Sequence, residues 1–267
     1  MSDPMEEHPR RPGEISFESR RRIFLTGAAG LAALIVWGLT GIPDFGEVVP
    51  LYGRVLNRIG VEQVGSTDVV TGVNFNYRAF DTLGEEFILF AAVVGLGLLL
   101  RAQSDELRRR DPGDAQTGRG APETSPAVRL SVLALAAPTA LLAIYITAHG
   151  HLSPGGGFQG GVVGATALLL VYLGGNYRTM RRVAPYTLVE VTKAAGAGAF
   201  VAIGIGGLLA GGAFLESFLG PGVPGELVAG GTIPLLSTAV GLEVTGGFVL
   251  ILTRFIEQLL VIGRRSG

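Results

Sequence analysis

The chain has 267 residues, 48% of them hydrophobic and 16% charged, with 42 glycines, no cysteine and a formal net charge of -1. An average soluble domain carries roughly 25% charged residues, so this composition and a mean hydropathy of +0.46 describe a bilayer protein rather than a soluble enzyme. The near-neutral charge excludes a nucleic-acid partner, which needs a basic field to displace phosphate counterions, and the lack of cysteine excludes disulfides, thiolate metal sites and iron–sulfur clusters on this chain.

Crossing a hydrocarbon core of roughly 30 Å takes about 20 mostly apolar residues, and six segments meet that requirement. The first, 23–41, follows Arg20, Arg21 and Arg22. Its basic flank fits either a signal anchor or the start of a cleaved signal peptide, and the long apolar run without an A-x-A site favours the anchor. A polar segment, 42–81, leads to the second span at 83–100. The stretch 102–127, rich in Arg, Asp, Gly and Pro, has the composition of a flexible linker. It separates a tail (1–22) and a two-helix module (23–101) from a four-helix domain (128–267), whose spans fall at 128–148, 158–174, 194–214 and 233–255. The expected fold is an all-α polytopic membrane protein with six transmembrane helices.

Orientation follows from the basic residues, because short cytoplasmic loops collect positive charge. With the N-terminus inside, the outer loops hold Arg54, Arg58 and Arg78. The inner group comprises Arg20 to Arg22, Arg108 to Arg110, Arg178, Arg181, Arg182, Lys193, Arg264 and Arg265, with Arg101 and Arg129 at adjoining helix ends. Both termini are therefore expected in the cytoplasm.

Three places carry residues suited to chemistry. The outer loop between the third and fourth spans contains His149, His151, Pro154, Gly155, Gly156, Gly157, Gly160 and Gly161. Glycines beside a proline let a loop fold back at membrane depth, where its peptide groups need protein or water partners. Two histidines spaced i and i+2 suit proton relay or a metal. Interfacial histidines bonded to loop carbonyls explain them more simply, and with no third ligand nearby no metal is expected. Before the second span, Asp81 is placed to cap a helix N-terminus. Glu85 and Glu86 lie at the margin of the apolar run, where ionised groups need water, a cation or a partner. Glu85 reads either as an ion or proton group or as an interfacial carboxylate, and Glu86 equally well faces headgroups. Glu243, near the middle of the sixth span, reads either as a protonatable functional group or as a neutral Glu hydrogen-bonded at a helix interface. Glu190 and Lys193, three apart, are placed to pair on one face at the start of the fifth helix, as an interfacial anchor or, if buried, as part of a proton path.

The run Gly150-His151-Leu152-Ser153-Pro154-Gly155-Gly156-Gly157-Phe158-Gln159-Gly160-Gly161 resembles the signature loop of the B-type chain of the multisubunit Mrp/Mnh-type sodium/proton antiporters. The similarity extends over about 126–262, including Gly241-Leu242-Glu243-Val244-Thr245-Gly246-Gly247 more loosely. Separately, Tyr77-Arg78-Ala79-Phe80-Asp81-Thr82-Leu83-Gly84-Glu85 resembles the segment before the last helix of the small E-type chain of energy-converting membrane-bound hydrogenases, which also closes the large A-type chain of the antiporters. The resemblance implies a component of a Na+/H+ antiporter complex in a prokaryotic cell membrane, with the other antiporter chains and the lipid bilayer as partners and no cofactor. It implies a place for Glu85 in the cation or proton route, with Asp81 beside it, and no transport by the isolated chain. Two other readings stand beside it: an accessory component of an energy-converting hydrogenase or related respiratory enzyme, and a non-conducting structural adaptor.

Overall fold

The structure is a computed structural model that describes residues 17–42, 46, 51–100 and 125–262. Most of the expected N-terminal tail, nearly all of the linker with Arg101 and Arg108 to Arg110, and the terminal Arg264 and Arg265 lie outside the described residues. The described residues form helices and turns, and no strand occurs among them.

The chain divides into two compact units between Leu51 and Tyr52. The first holds α1 (Phe17–Thr40), whose first turn is charge-paired: Glu18 lies 3.7 Å from both Arg21 and Arg22. At its other end the Thr40 hydroxyl donates to the Trp37 carbonyl at 2.6 Å.

The second unit holds α2 (Leu51–Val64, from Tyr52 onward), α3 (Val69–Gly72), α4 (Ala79–Leu99), α5 (Pro126–Ala148), α6 (Gly157–Gly174), α7 (Tyr177–Val183), α8 (Tyr186–Leu209) and α9 (Ile233–Ile262). Six helices, α1, α4, α5, α6, α8 and α9, are long and apolar enough to span a bilayer, and the protein is a multi-pass, all-α membrane protein.

Two regions differ from the sequence expectation. The polar segment 42–81 is largely helical. In α2 Leu56, Gly60 and Val64 are buried, an i, i+4, i+8 stripe that forms one helix face. Asp68 caps α3, accepting from the Val70 N–H at 3.0 Å and the Thr71 hydroxyl at 2.9 Å. A π-helical turn, Val73–Tyr77, then carries the chain into α4, and its Phe75 ring packs 6.4 Å from that of Phe200. The fifth span also shifts: α8 runs from Tyr186 to Leu209, starting eight residues before the expected 194 and ending five before 214. Pro185 presets the chain ahead of the first turn, and Gly211 at φ +90 ends the helix in a conformation that favours glycine. Glu190 and Lys193 therefore lie inside the helix.

The central element is α9. In its spanning stretch 61% of the residues are buried within the protein, against 0 to 33% for the other spans. It packs against α4, α5, α6 and α8, with Leu236, Val240 and Val244 fully enclosed. Interhelical hydrogen bonds tie it further, from the Ser237 hydroxyl to the Thr147 carbonyl at 3.1 Å and from the Thr245 hydroxyl to the Gly161 carbonyl at 3.2 Å. Small residues and hydroxyl bonds of this kind hold helices together where lipid supplies no hydrophobic driving force.

Candidate ion-handling site

Helix rise places Glu86 about 10 Å along α4 from its start and Glu243 about 15 Å along α9. Both are inside the protein, at 3% and 0% exposure. Their carboxyl groups lie against each other, and no oxygen of either group has a hydrogen-bond donor from the chain. Two ionised carboxylates in contact repel, and a buried one without a donor or counter-charge is costly. A proton or a cation between them would relieve both costs.

Lys193 supplies positive charge on the third side. It is 9% exposed, its ammonium stands 4.2 Å from the centroid of the Phe90 ring, and it is near enough to Glu243 to interact with its charge. Two glycines bring the backbones of α8 and α9 this close. A Cβ on Gly196 would lie 2.5 Å from the Glu243 nitrogen, and one on Gly246 would lie 2.9 Å from the Lys193 Cβ. Each glycine leaves room for the other helix's charged residue.

The pair opens onto a cavity of about 430 Å³ between α4 and α8. Leu83, Phe87 and Phe90 form one wall, and Ala197, Val201 and Ile205 the other. Its apolar lining leaves the carboxyl pair as the polar feature of its floor. An apolar wall around a few convergent polar groups is the usual form of a small-ligand site.

The remaining candidate residues fall elsewhere. Glu85 is exposed on the other side of α4, because adjacent helix positions are rotated apart and do not share a face. Glu86 takes the inward position and does not face headgroups. Asp81 does not cap the helix: α4 begins at Ala79, so Asp81 sits in its first turn and accepts from Arg78 Nε at 2.6 Å. The π-helical turn feeds α4 directly and moves the helix start ahead of Asp81. The expected Glu190–Lys193 pair does not form, since Lys193 turns inward to Phe90 while Glu190 stays exposed. Among the described residues Glu190 has no ion pair within 4 Å.

The glycine-rich loop lies apart from the carboxyl pair and joins neighbouring segments. The His149 ring stacks on Tyr145 with centroids 4.1 Å apart, whereas His151 is 1% exposed and sits beside the backbone of Glu226 and Leu227. Burial first, and the nearby His149 charge to a lesser degree, push His151 below the usual imidazole range, against an upward pull from those backbone groups. The His151 carbonyl accepts from the Ser66 hydroxyl at 2.9 Å and the Asp68 N–H at 3.2 Å, and the Leu152 carbonyl from the Thr67 hydroxyl at 2.7 Å. Pro154 is exposed at the bend. Gly155 and Gly156 follow with φ of +152 and +126, and Gly157 opens α6 against α9. Gly160 presses on Thr147 of α5, and a Cβ on Gly161 would lie 2.5 Å from that of Val244 on α9.

Sequence reasoning missed the inward turn of Lys193, the roles of Gly196 and Gly246, and the choice of Glu86 over Glu85. One signal was present: Lys193 and Gly196 are three apart, as are Glu243 and Gly246, and each pair shares a helix face.

Comparison with known proteins fits this architecture. Residues 127–250 match the family described as a domain related to the MnhB subunit of Na+/H+ antiporter. Over 77 residues the chain is 42% identical to the B component of the Na(+)/H(+) antiporter of Alkalihalophilus pseudofirmus, a match that covers 28% of this chain and 51% of that protein. The chain thus spans about half the length of that relative. Among solved structures, a chain of the archaeal membrane-bound sulfane sulfur reductase, a respiratory membrane complex, superposes with a TM-score of 0.65 at 31% identity over 89% of this chain and 98% of that one. A chain of the Mrp complex from Dietzia gives a TM-score of 0.61 at 27% identity over 92% of this chain and 27% of that one. The antiporter-type domain in its last four spanning helices, and a relative matched over nearly its whole length, show that this chain belongs to the family of Mrp/MnhB-type membrane-complex subunits.

Proposed function

We propose that the chain is one component of a monovalent cation/proton antiporter complex in a prokaryotic cell membrane, exchanging Na+ for H+, with other Mrp-type subunits as partners and both termini cytoplasmic. The observation that carries this reading is the Glu86–Glu243 carboxyl pair, enclosed in the membrane-spanning region with no donor from the protein. Such a pair holds a proton or a monovalent cation and exchanges one for the other, because either relieves the repulsion. Lys193 limits the net negative charge of the site. Glu85 and Asp81, exposed on this chain, extend the same route on a face that a neighbouring chain of the complex would cover. On this reading, residues 23–101 and 128–267 are two modules joined by the linker at 102–127, tied through the packing of α4 on α9.

The test is cation-driven proton movement in membrane vesicles holding the native complex, with Glu86→Gln and Glu243→Gln introduced together. Exchange is expected to fall on the order of a hundredfold, the scale of losing a positioned proton-transfer group, while the subunits still co-purify. Undiminished exchange would overturn the reading.

A second reading has its own support: the near-complete match to a chain of a respiratory membrane complex. There the same ion-moving module would be driven by redox chemistry in partner chains, since this chain has no cysteine. Mass spectrometry of what co-purifies with the tagged chain separates the two. Cluster-bearing partners favour the respiratory complex, and antiporter chains without them favour the exchanger.

A further inference from the structure

The crevice between α4 and α8 is open along its outer side: Phe87 and Phe90 of α4 and Ile205 of α8 line it and remain exposed. Exposed apolar residues by themselves suit lipid tails, which are as apolar as leucine. Two further features of the crevice do not. On α8, Ala194, Gly198 and Ala202 are exposed at a spacing of four, which sets small residues in one row along the helix. Gly198 and Ala202 line the crevice. A Cβ on Gly198 would meet nothing within 4 Å, whereas one on Gly196 would press on the Glu243 backbone. Gly196 therefore serves a contact within this chain and Gly198 serves none. A row of small residues of this kind lets a second helix backbone approach closely.

The second feature is chemical. Glu86 and Glu243 line the same crevice, are almost wholly buried and have no hydrogen-bond donor among the described residues. Buried polar groups are rarely left without partners, and an acyl chain has no such donor to offer. A side chain on a neighbouring helix does. A Lys or Arg there would put a permanent positive charge where the exchanged proton or cation belongs, so the donor is uncharged: the hydroxyl of a Ser or Thr, or the amide of an Asn or Gln.

We propose that the crevice seats a spanning helix of another chain of the complex, packed on Gly198 and Ala202, with an uncharged donor side chain reaching the Glu86–Glu243 pair. The choice of donor rests on the reading of the pair as the ion-handling site. The seat itself rests on the free row of small residues and on membership in a family of membrane-complex subunits.

The experiment places a photoreactive benzoylphenylalanine at Phe87 in the native complex within its own membrane and identifies what it captures on illumination. The expected product is a spanning segment of another chain with a Ser, Thr, Asn or Gln inside its apolar run. Gly198→Leu is expected to lower that product, and the amount of the captured chain that co-purifies, about tenfold or more, the scale of overpacking a helix contact. Gly95→Leu is the control, since Gly95 also meets nothing within 4 Å and lies outside the crevice; it leaves both unchanged. In Glu86→Gln with Glu243→Gln the product persists, because each amide keeps a carbonyl acceptor for the partner's donor, while exchange falls. Capture of lipid alone, of this chain itself or of nothing overturns the proposal, as does an equal loss in Gly198→Leu and Gly95→Leu. A captured helix that faces the pair with Lys or Arg overturns the uncharged donor. If the expected helix is captured but the double variant exchanges normally, the ion-handling reading fails and the seat stands.

Discussion

The outer glycine-rich loop and the buried carboxyl site make opposite use of unusual residues. In the loop, His149, His151 and the glycines from Gly155 to Gly161 are conspicuous in sequence, yet their contacts join neighbouring segments: carbonyls accept from Ser66, Thr67 and Asp68, and glycines seat α6 against α5 and α9. At the site, Glu86 and Glu243 meet in the interior with no donor for either carboxyl, beside Lys193 turned inward over Phe90. The loop carbonyls of His151 and Leu152 are satisfied, while both ring nitrogens of buried His151 lack a partner among the described residues. On the reading proposed above, the carboxyl pair is the group that takes up a proton or a cation.

That contrast is open to direct attack. The largest effect is expected from Glu86→Gln with Glu243→Gln, which removes both charges at nearly constant shape and lowers exchange on the order of a hundredfold, measured in vesicles as above. Next, Gly196→Leu forces a side chain into the Glu243 backbone. It is expected to cost about 1 to 3 kcal/mol or more by overpacking, seen as a lower melting temperature, and also to lower exchange per assembled complex. Gly161→Leu, at the α6–α9 contact, is expected to cost a similar amount of stability but to leave exchange per assembled complex unchanged. Equal loss of exchange in the two glycine variants would erase the distinction between site and scaffold.

Smaller effects separate the two faces of α4 and the loop from the site. Glu85→Gln is expected to slow exchange less than Glu86→Gln, because Glu85 faces outward; the reverse order, measured in the same vesicles, would move the site to the outer face of α4. The smallest expected effect concerns His151. Its folded-state pKa is pushed down mainly by burial, so the folded chain binds fewer protons than the unfolded one below the ordinary imidazole value of about 6.5. The stabilising contribution is therefore complete above that value and is lost as pH falls through it. The melting temperature of the native complex should decline from about pH 7 toward pH 5, and less so in His151→Phe, which has no proton to bind.

The number of spanning helices was legible in sequence because bilayer thickness sets the length of each apolar run, and α1, α4, α5, α6 and α9 lie close to the expected positions. The start of α8 was not, because Glu190 and Lys193 lower the hydropathy of its first turns. A lysine that folds back onto Phe90 and a neighbouring helix escapes a count made along one helix. The helices within 42–81 were hidden for a related reason: α2 buries only the stripe Leu56, Gly60 and Val64 and reads as polar on average. Glu243 was recognisable from depth alone. Its partner was not, since choosing Glu86 over Glu85 depends on the rotation of α4, which the π-helical turn at Val73–Tyr77 and the anchoring of Phe75 on Phe200 help to set.

If Glu86 and Glu243 hold a proton that a cation displaces, infrared difference spectroscopy of the purified native complex, taken with and without saturating Na+, will register the exchange at the carboxyl groups themselves. The expected result is a protonated-carboxyl C=O band that disappears when the cation binds and is missing from Glu243→Gln. A spectrum without such a band, or one whose band persists unchanged in Glu243→Gln, would refute proton–cation exchange at this pair.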